Sequence, residues 1–194
     1  MGVALISRER ASDEAVLESV QRLWRTKLKS VTALEKWLSK TGDFEIKAGL
    51  KAQLLDERRH LRILGEEVKR LGGRLSGSTL DQVLERPFAM ILAQASDMER
   101  LTAFHRGLKA FTVVRCGRLI PLVDAALART LEQIARDDEG HIRWADIRLQ
   151  RIGDITERRR LYFLMEKMET SLDAVWAKAG RRLSLVQPRK LFQR

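Results

Sequence analysis

Apolar residues recur three and four positions apart along nearly the whole chain, and no stretch alternates apolar with polar residues as a half-buried strand would. The pattern predicts five helices. The first runs from Ser12 to Lys40, carries Val16, Val20, Leu23, Val31, Leu34 and Leu38 on one stripe, and stops at Thr41-Gly42. Asp43 is placed to cap the second helix, whose stripe is Leu50, Leu54, Leu61, Leu64 and Val68 and whose end is Gly72-Gly73. A loop through Ser76, Gly77 and Ser78 leads to a third helix, from Pro87 to about Gly117. Pro121 suits the first position of a fourth helix, which runs through Leu127, Leu131, Ile134, Ala145 and Ile152 to Gly153. A fifth, from Thr156 to Gly180, has Leu161, Leu164, Met168, Leu172 and Val175 in its stripe. Two hairpins with short turns, joined by a longer crossover, make an all-α, up-down bundle with one long connection and a fifth C-terminal helix. No composition shift divides it, so residues 1–180 read as one domain and residues 181–194 as a basic tail.

An internal repeat adds chemistry to this architecture. At an offset of 81 residues, Asp56-Glu57-Arg58-Arg59-His60-Leu61-Arg62 matches Asp137-Asp138-Glu139-Gly140-His141-Ile142-Arg143, and Arg70-Leu71-Gly72 matches Arg151-Ile152-Gly153. An acid at i and a histidine at i+3 share one face of a helix. With the two helices packed together, Glu57, His60, Asp138 and His141 converge in the core, and the stripes agree, because Glu57, Asp138 and His141 fall where apolar residues are due. Burying two carboxylates and two imidazoles is costly without a counter-charge. A divalent metal is the natural one, and mixed carboxylate–imidazole ligation suits iron or manganese.

On these residues the chain resembles the ferritin-like di-iron carboxylate superfamily, whose four-helix bundle uses acid-x-x-His on two helices and a Glu on each of two others. The resemblance covers Ser12 to Gly153 and leaves the fifth helix unassigned. It implies Glu57, His60, Asp138 and His141 as metal ligands, with Asp56 and Asp137 orienting the histidines through hydrogen bonds. Glu99, in the third helix, is the expected bridging ligand, and His105 is a nearby core histidine. Helix one departs from the family. The repeat offset points to Glu18, but Glu18 projects away from the apolar stripe and lies ~13 Å too far from the turn at ~1.5 Å per residue. Lys27 stands on the stripe at the level of Glu57, where the family has an acid. There it either repels a second metal or, with its pKa depressed by burial, lines the pocket as a catalytic proton donor; the alternative is that it snorkels outward. Asp138, shorter than the usual Glu, is a second departure.

Composition and charge narrow the reading further. The chain has 194 residues, of which 44% are apolar, enough for one domain with a real core. Its single cysteine, Cys116, excludes an internal disulfide and a cysteine-ligated cluster within one chain. The N-terminal GVALIS is too short for a signal-peptide core, and no stretch approaches a membrane span, so a cytoplasmic protein is expected. The formal net charge is +11, and +7 of it falls from Arg158 onward. The resemblance implies a non-haem di-metal oxidase, holding two irons or one, or manganese, in a homo-oligomer. It would take electrons from an external donor and use O2 to oxidise a small-molecule substrate. The alternative is a metal-deficient bundle that uses its basic C-terminus on nucleic acid or an acidic protein partner.

Overall fold

The computed structural model describes residues 13–75 and 79–179, and the basic tail of residues 181–194 lies outside them. Among the described residues there are six helices and no strand: α1 (Asp13–Leu38), α2 (Phe44–Arg70), α3 (Thr79–Leu92), α4 (97–119), α5 (Ala125–Leu149) and α6 (Ile155–Ala179). The predicted boundaries of α1, α2, α5 and α6 hold to within a few residues. Asp43 caps α2 by accepting a hydrogen bond from the Ile46 amide at 2.9 Å.

The third predicted helix is corrected. Pro87 lies inside α3, which begins upstream of it, and the chain then breaks at residues 93–96. A new helix starts because Ser96 and Glu99 form a reciprocal capping box, each side chain bonding the other's backbone amide. Asp97 fixes that start against the end of α1, accepting from Trp37 Nε1 and Thr41 Oγ1, each at 2.6 Å. After one α-helical turn, α4 widens into a π-helix over Thr102–Lys109 and returns to α-helix over Ala110–Leu119. Pro121 does not open the next helix either. It sits in a short 3-10 turn, and Asp124 caps α5 through the amides of Ala126 and Leu127.

Five-residue connections make α1–α2 and α4–α5 antiparallel hairpins, which meet along α2 and α5. Gly49 permits that meeting: a Cβ there would stand 2.1 Å from the Trp144 ring. Helix α6 crosses α3 and the π segment of α4, and Gly107 lets Met168 lie directly against the widened turn. Two apolar clusters fill the interior. One, with Leu34, Trp37, Leu50, Phe104 and Met168, surrounds the α1–α2 turn and is covered by α3 and α6. The other, with Val20, Leu23, Leu64, Val68, Leu131 and Ile134, fills the opposite end. A layer of charged side chains lies between them. No helix among the described residues is long and apolar enough to cross a membrane.

Candidate functional site

Four helices each send one charged side chain into this layer: Lys27 from α1, Glu57 from α2, Lys109 from α4 and Asp138 from α5. None is more than 2% exposed. Lys27 Nζ donates to Asp138 Oδ2 at 2.7 Å and to Glu57 Oε1 at 3.2 Å. Lys109 Nζ donates to Asp138 Oδ1 at 2.7 Å and to Glu57 Oε1 as well. Its third proton meets His141 Nδ1 at 3.0 Å. Two carboxylates thus face two ammonium groups, and the charge balances within the protein.

The histidines connect this centre to the surface, in a crossed arrangement. His60 of α2 donates from Nε2 to Asp137 of α5, while His141 of α5 donates from Nε2 to Asp56 of α2, each at 2.9 Å. A carboxylate can only accept, so each ring carries its proton on Nε2 and presents a bare Nδ1 inward. Arg59 bridges Asp56 and Asp137 on the outside, 2.8 Å from each. Asp56 and Asp137 thus hydrogen-bond the two rings, each aspartate to the histidine of the other helix.

Electrostatics follow the burial. The expected depression of Lys27 is corrected: desolvation alone would push the ammonium down, but the charges of Asp138 and Glu57 outweigh it and hold Lys27 above the ordinary lysine value. Burial likewise works against an ionised Asp138, yet Lys109 and Lys27 keep its carboxyl well below the usual range. Burial, followed by repulsion from Lys27, lowers His60 and favours the neutral ring. Cys116 borders the cluster, and burial pushes its thiol up to about 12, so it offers no thiolate.

Of the expected site residues, the structure brings together Lys27, Glu57, His60, Asp138 and His141, with Asp56 and Asp137 behind the rings. Lys27 points inward, so outward snorkelling is corrected. Glu99 does not join them. It is held in the capping box at the start of α4 and paired with Arg160 at 3.3 Å. Glu18 pairs with Arg22 along α1, also away from the cluster. His105 is a core histidine, as read from the sequence. It lies among Trp37, Phe104 and Trp144, with Nδ1 3.2 Å from the Leu101 carbonyl and Nε2 2.7 Å from the Gln53 side chain. Burial and the nearby charge of Lys109 keep it well below the ordinary histidine value.

Lys109 was missed. The offset of 81 that pairs the acids and histidines maps Lys27 onto Leu108, whereas the lysines are 82 apart. Helices α1 and α4 therefore repeat one residue out of step with α2 and α5. The available signal was the spacing of 30 from Lys27 to Glu57, which counted back from Asp138 lands beside Lys109.

Glu57, Asp138 and His141 each offer a ligand atom, all within 4.8 Å of one another, and such a group could hold one metal ion. A pair of metal ions does not fit the residues present. The two helix positions that would complete such a centre carry ammonium groups, which have no lone pair to donate while protonated. Those groups already neutralise both carboxylates. Two further divalent charges would leave a large positive excess at low dielectric. Within this cluster two buried atoms, His60 Nδ1 and Glu57 Oε2, have no hydrogen-bond partner among the described residues. No protein-family model, curated protein or solved structure matches this chain.

Proposed function

We propose that this chain is a ferritin-like helical bundle that works without metal, as a basic binding protein rather than an O2-activating oxidase. The observation that carries this reading is the pair of lysines, Lys27 and Lys109, bonded to both buried acids. They supply the counter-charge that iron or manganese supplies in a di-metal centre. The cluster is also sealed, since its four charged members are at most 2% exposed and apolar layers close both ends. A substrate would have no path to it without rearrangement. With the interior neutral, the net charge of +11 is left for a polyanionic partner, and nucleic acid is the one favoured.

The oxidase remains the second reading, because His60 Nδ1 and Glu57 Oε2 are buried ligand-type atoms without partners. In it, iron or manganese would be held by Glu57, His60, Asp138 and His141, and would supply one-electron chemistry toward O2. Metal analysis after gentle purification separates the two, followed by anaerobic Fe(II) addition and exposure to O2. The metal-free reading expects no retained iron and no transient visible absorption. Two irons per chain with such an absorption would establish the oxidase instead. A mobility-shift titration with DNA and RNA tests the partner: binding should weaken steeply with salt, and no binding at low salt would remove the nucleic-acid reading.

A further inference from the structure

The three residues able to hold one metal ion are the same three that Lys109 binds. Its Nζ donates to Glu57 Oε1, to Asp138 Oδ1 at 2.7 Å and to His141 Nδ1 at 3.0 Å, which uses all three ammonium protons. Lys27 touches the two acids but neither histidine. From this geometry we infer that Lys109 is an internal cation seated at the position of a single divalent ion. It is the lock that keeps Glu57, Asp138 and His141 from binding metal, and Lys27 is not.

The chemistry of the position agrees. Mixed oxygen and imidazole donors suit a first-row divalent ion. His141 already has its Nε2–H fixed by Asp56, the arrangement that directs a bare Nδ1 lone pair at a cation. The aliphatic stem of Lys109 reaches the position from α4 past the Phe104 ring, whose centroid lies 5.4 Å from Nζ. Glu57 Oε2 remains unpartnered among the described residues, so an ion there would gain a further carboxylate oxygen that the ammonium leaves unused. Removing the Lys109 charge leaves two carboxylates against one ammonium, and the surplus negative charge favours one divalent ion.

The inference rests on the metal-free half of the proposed function and is independent of any polyanion. The test uses the full chain and Co(II) alone as probe, read by visible absorption, metal retained after desalting and thermal unfolding. Wild type and Lys27→Gln should retain no Co(II) and show no ligand-field bands. Lys109→Gln should retain about one ion per chain and unfold at a higher temperature with Co(II) than without. Adding His141→Ala to Lys109→Gln should abolish retention. A folded Lys109→Gln that binds no Co(II) overturns the lock. Co(II) retained by wild type and lost on His141→Ala overturns the metal-free reading itself, so the two failures are distinguishable. Should Lys109→Gln not fold, Lys109→Met is refolded with and without Co(II). Recovery only with Co(II) supports the inference, and no recovery with it counts against it.

Discussion

The two hairpins carry the same set of groups in unequal arrangements. In each, a lysine, an aspartate, a second acid and a histidine occupy matching places: Lys27, Asp56, Glu57 and His60 in the first, Lys109, Asp137, Asp138 and His141 in the second. Yet His141 Nδ1 accepts from Lys109, whereas His60 Nδ1 has no donor among the described residues. Each Asp138 oxygen has its own lysine, while both lysines share one Glu57 oxygen and leave the other bare. The second hairpin is therefore the saturated half and the first the half with spare acceptors. An internal repeat preserves residue types more faithfully than it preserves hydrogen-bond partners. The one-residue difference in register and the π segment of α4 accompany this asymmetry.

Removing the saturated acid should have the largest effect. Asp138→Asn leaves two buried ammonium groups facing a single carboxylate, and breaking a buried pair in this way costs about 3–5 kcal/mol. Glu57→Gln should cost less, because Glu57 already has one unpartnered oxygen. Urea unfolding of both variants checks the order, and equal losses would mean the two halves are equivalent. Lys109→Met should likewise destabilise more than Lys27→Met, by about 1.5–3 kcal/mol for the additional hydrogen bond from a charged donor. The reverse order would place the keystone in the first hairpin.

The pH dependence gives an effect of intermediate size. His60 and His105 are both lowered from an ordinary value of 6.5, so the unfolded chain binds more protons than the folded one as pH drops. Their contribution is complete above about 6.5 and is lost as pH falls toward their folded values. The depressed Asp138 adds a further loss in stronger acid, below its ordinary value of 3.8. Lys27, being raised, acts on the other side: its contribution is present below the ordinary 10.5 and is lost only as pH rises through its higher folded value. Thermal unfolding across pH should show an acid limb that is shallower in His60→Gln. A stability independent of pH between the histidine and carboxylate ranges would contradict the neutral, buried rings.

The smallest effects belong to the outer shell. Arg59→Ala removes a partly exposed bridge and should cost about 1 kcal/mol or less. Glu18→Gln should do still less, since Glu18 is itself exposed where it pairs with Arg22 one turn along α1.

Much of this arrangement was legible in the sequence, for reasons that also explain the rest. Periodicity located four of the six helices, because apolar stripes and the Asp43 cap are local signals. It fused α3 with α4 because Pro87 reads as a helix start, whereas the break at residues 93–96 depends on Ser96 and Glu99 capping each other and on Asp97 meeting Trp37 and Thr41. The same capping role removed Glu99 from the site: a core-facing projection does not distinguish an acid that turns back on its own helix start. The acid-x-x-His repeat located Glu57, His60, Asp138 and His141 because, on each of the two helices, acid and histidine share a face at fixed spacing. Lys27 was placed by its distance from the turn. Lys109 was hidden, since a single offset cannot follow a repeat whose two helix pairs differ by one residue.

The central claim is that the lysines make metal unnecessary, and thermal unfolding of the wild-type chain tests it most directly. Samples are compared in a chelator and, without oxygen, in excess Fe(II) or Mn(II). An ion bound only by the folded chain would raise the unfolding temperature with its concentration. The same unfolding temperature is expected in all three. A concentration-dependent rise with either ion that disappears in His141→Ala would contradict it.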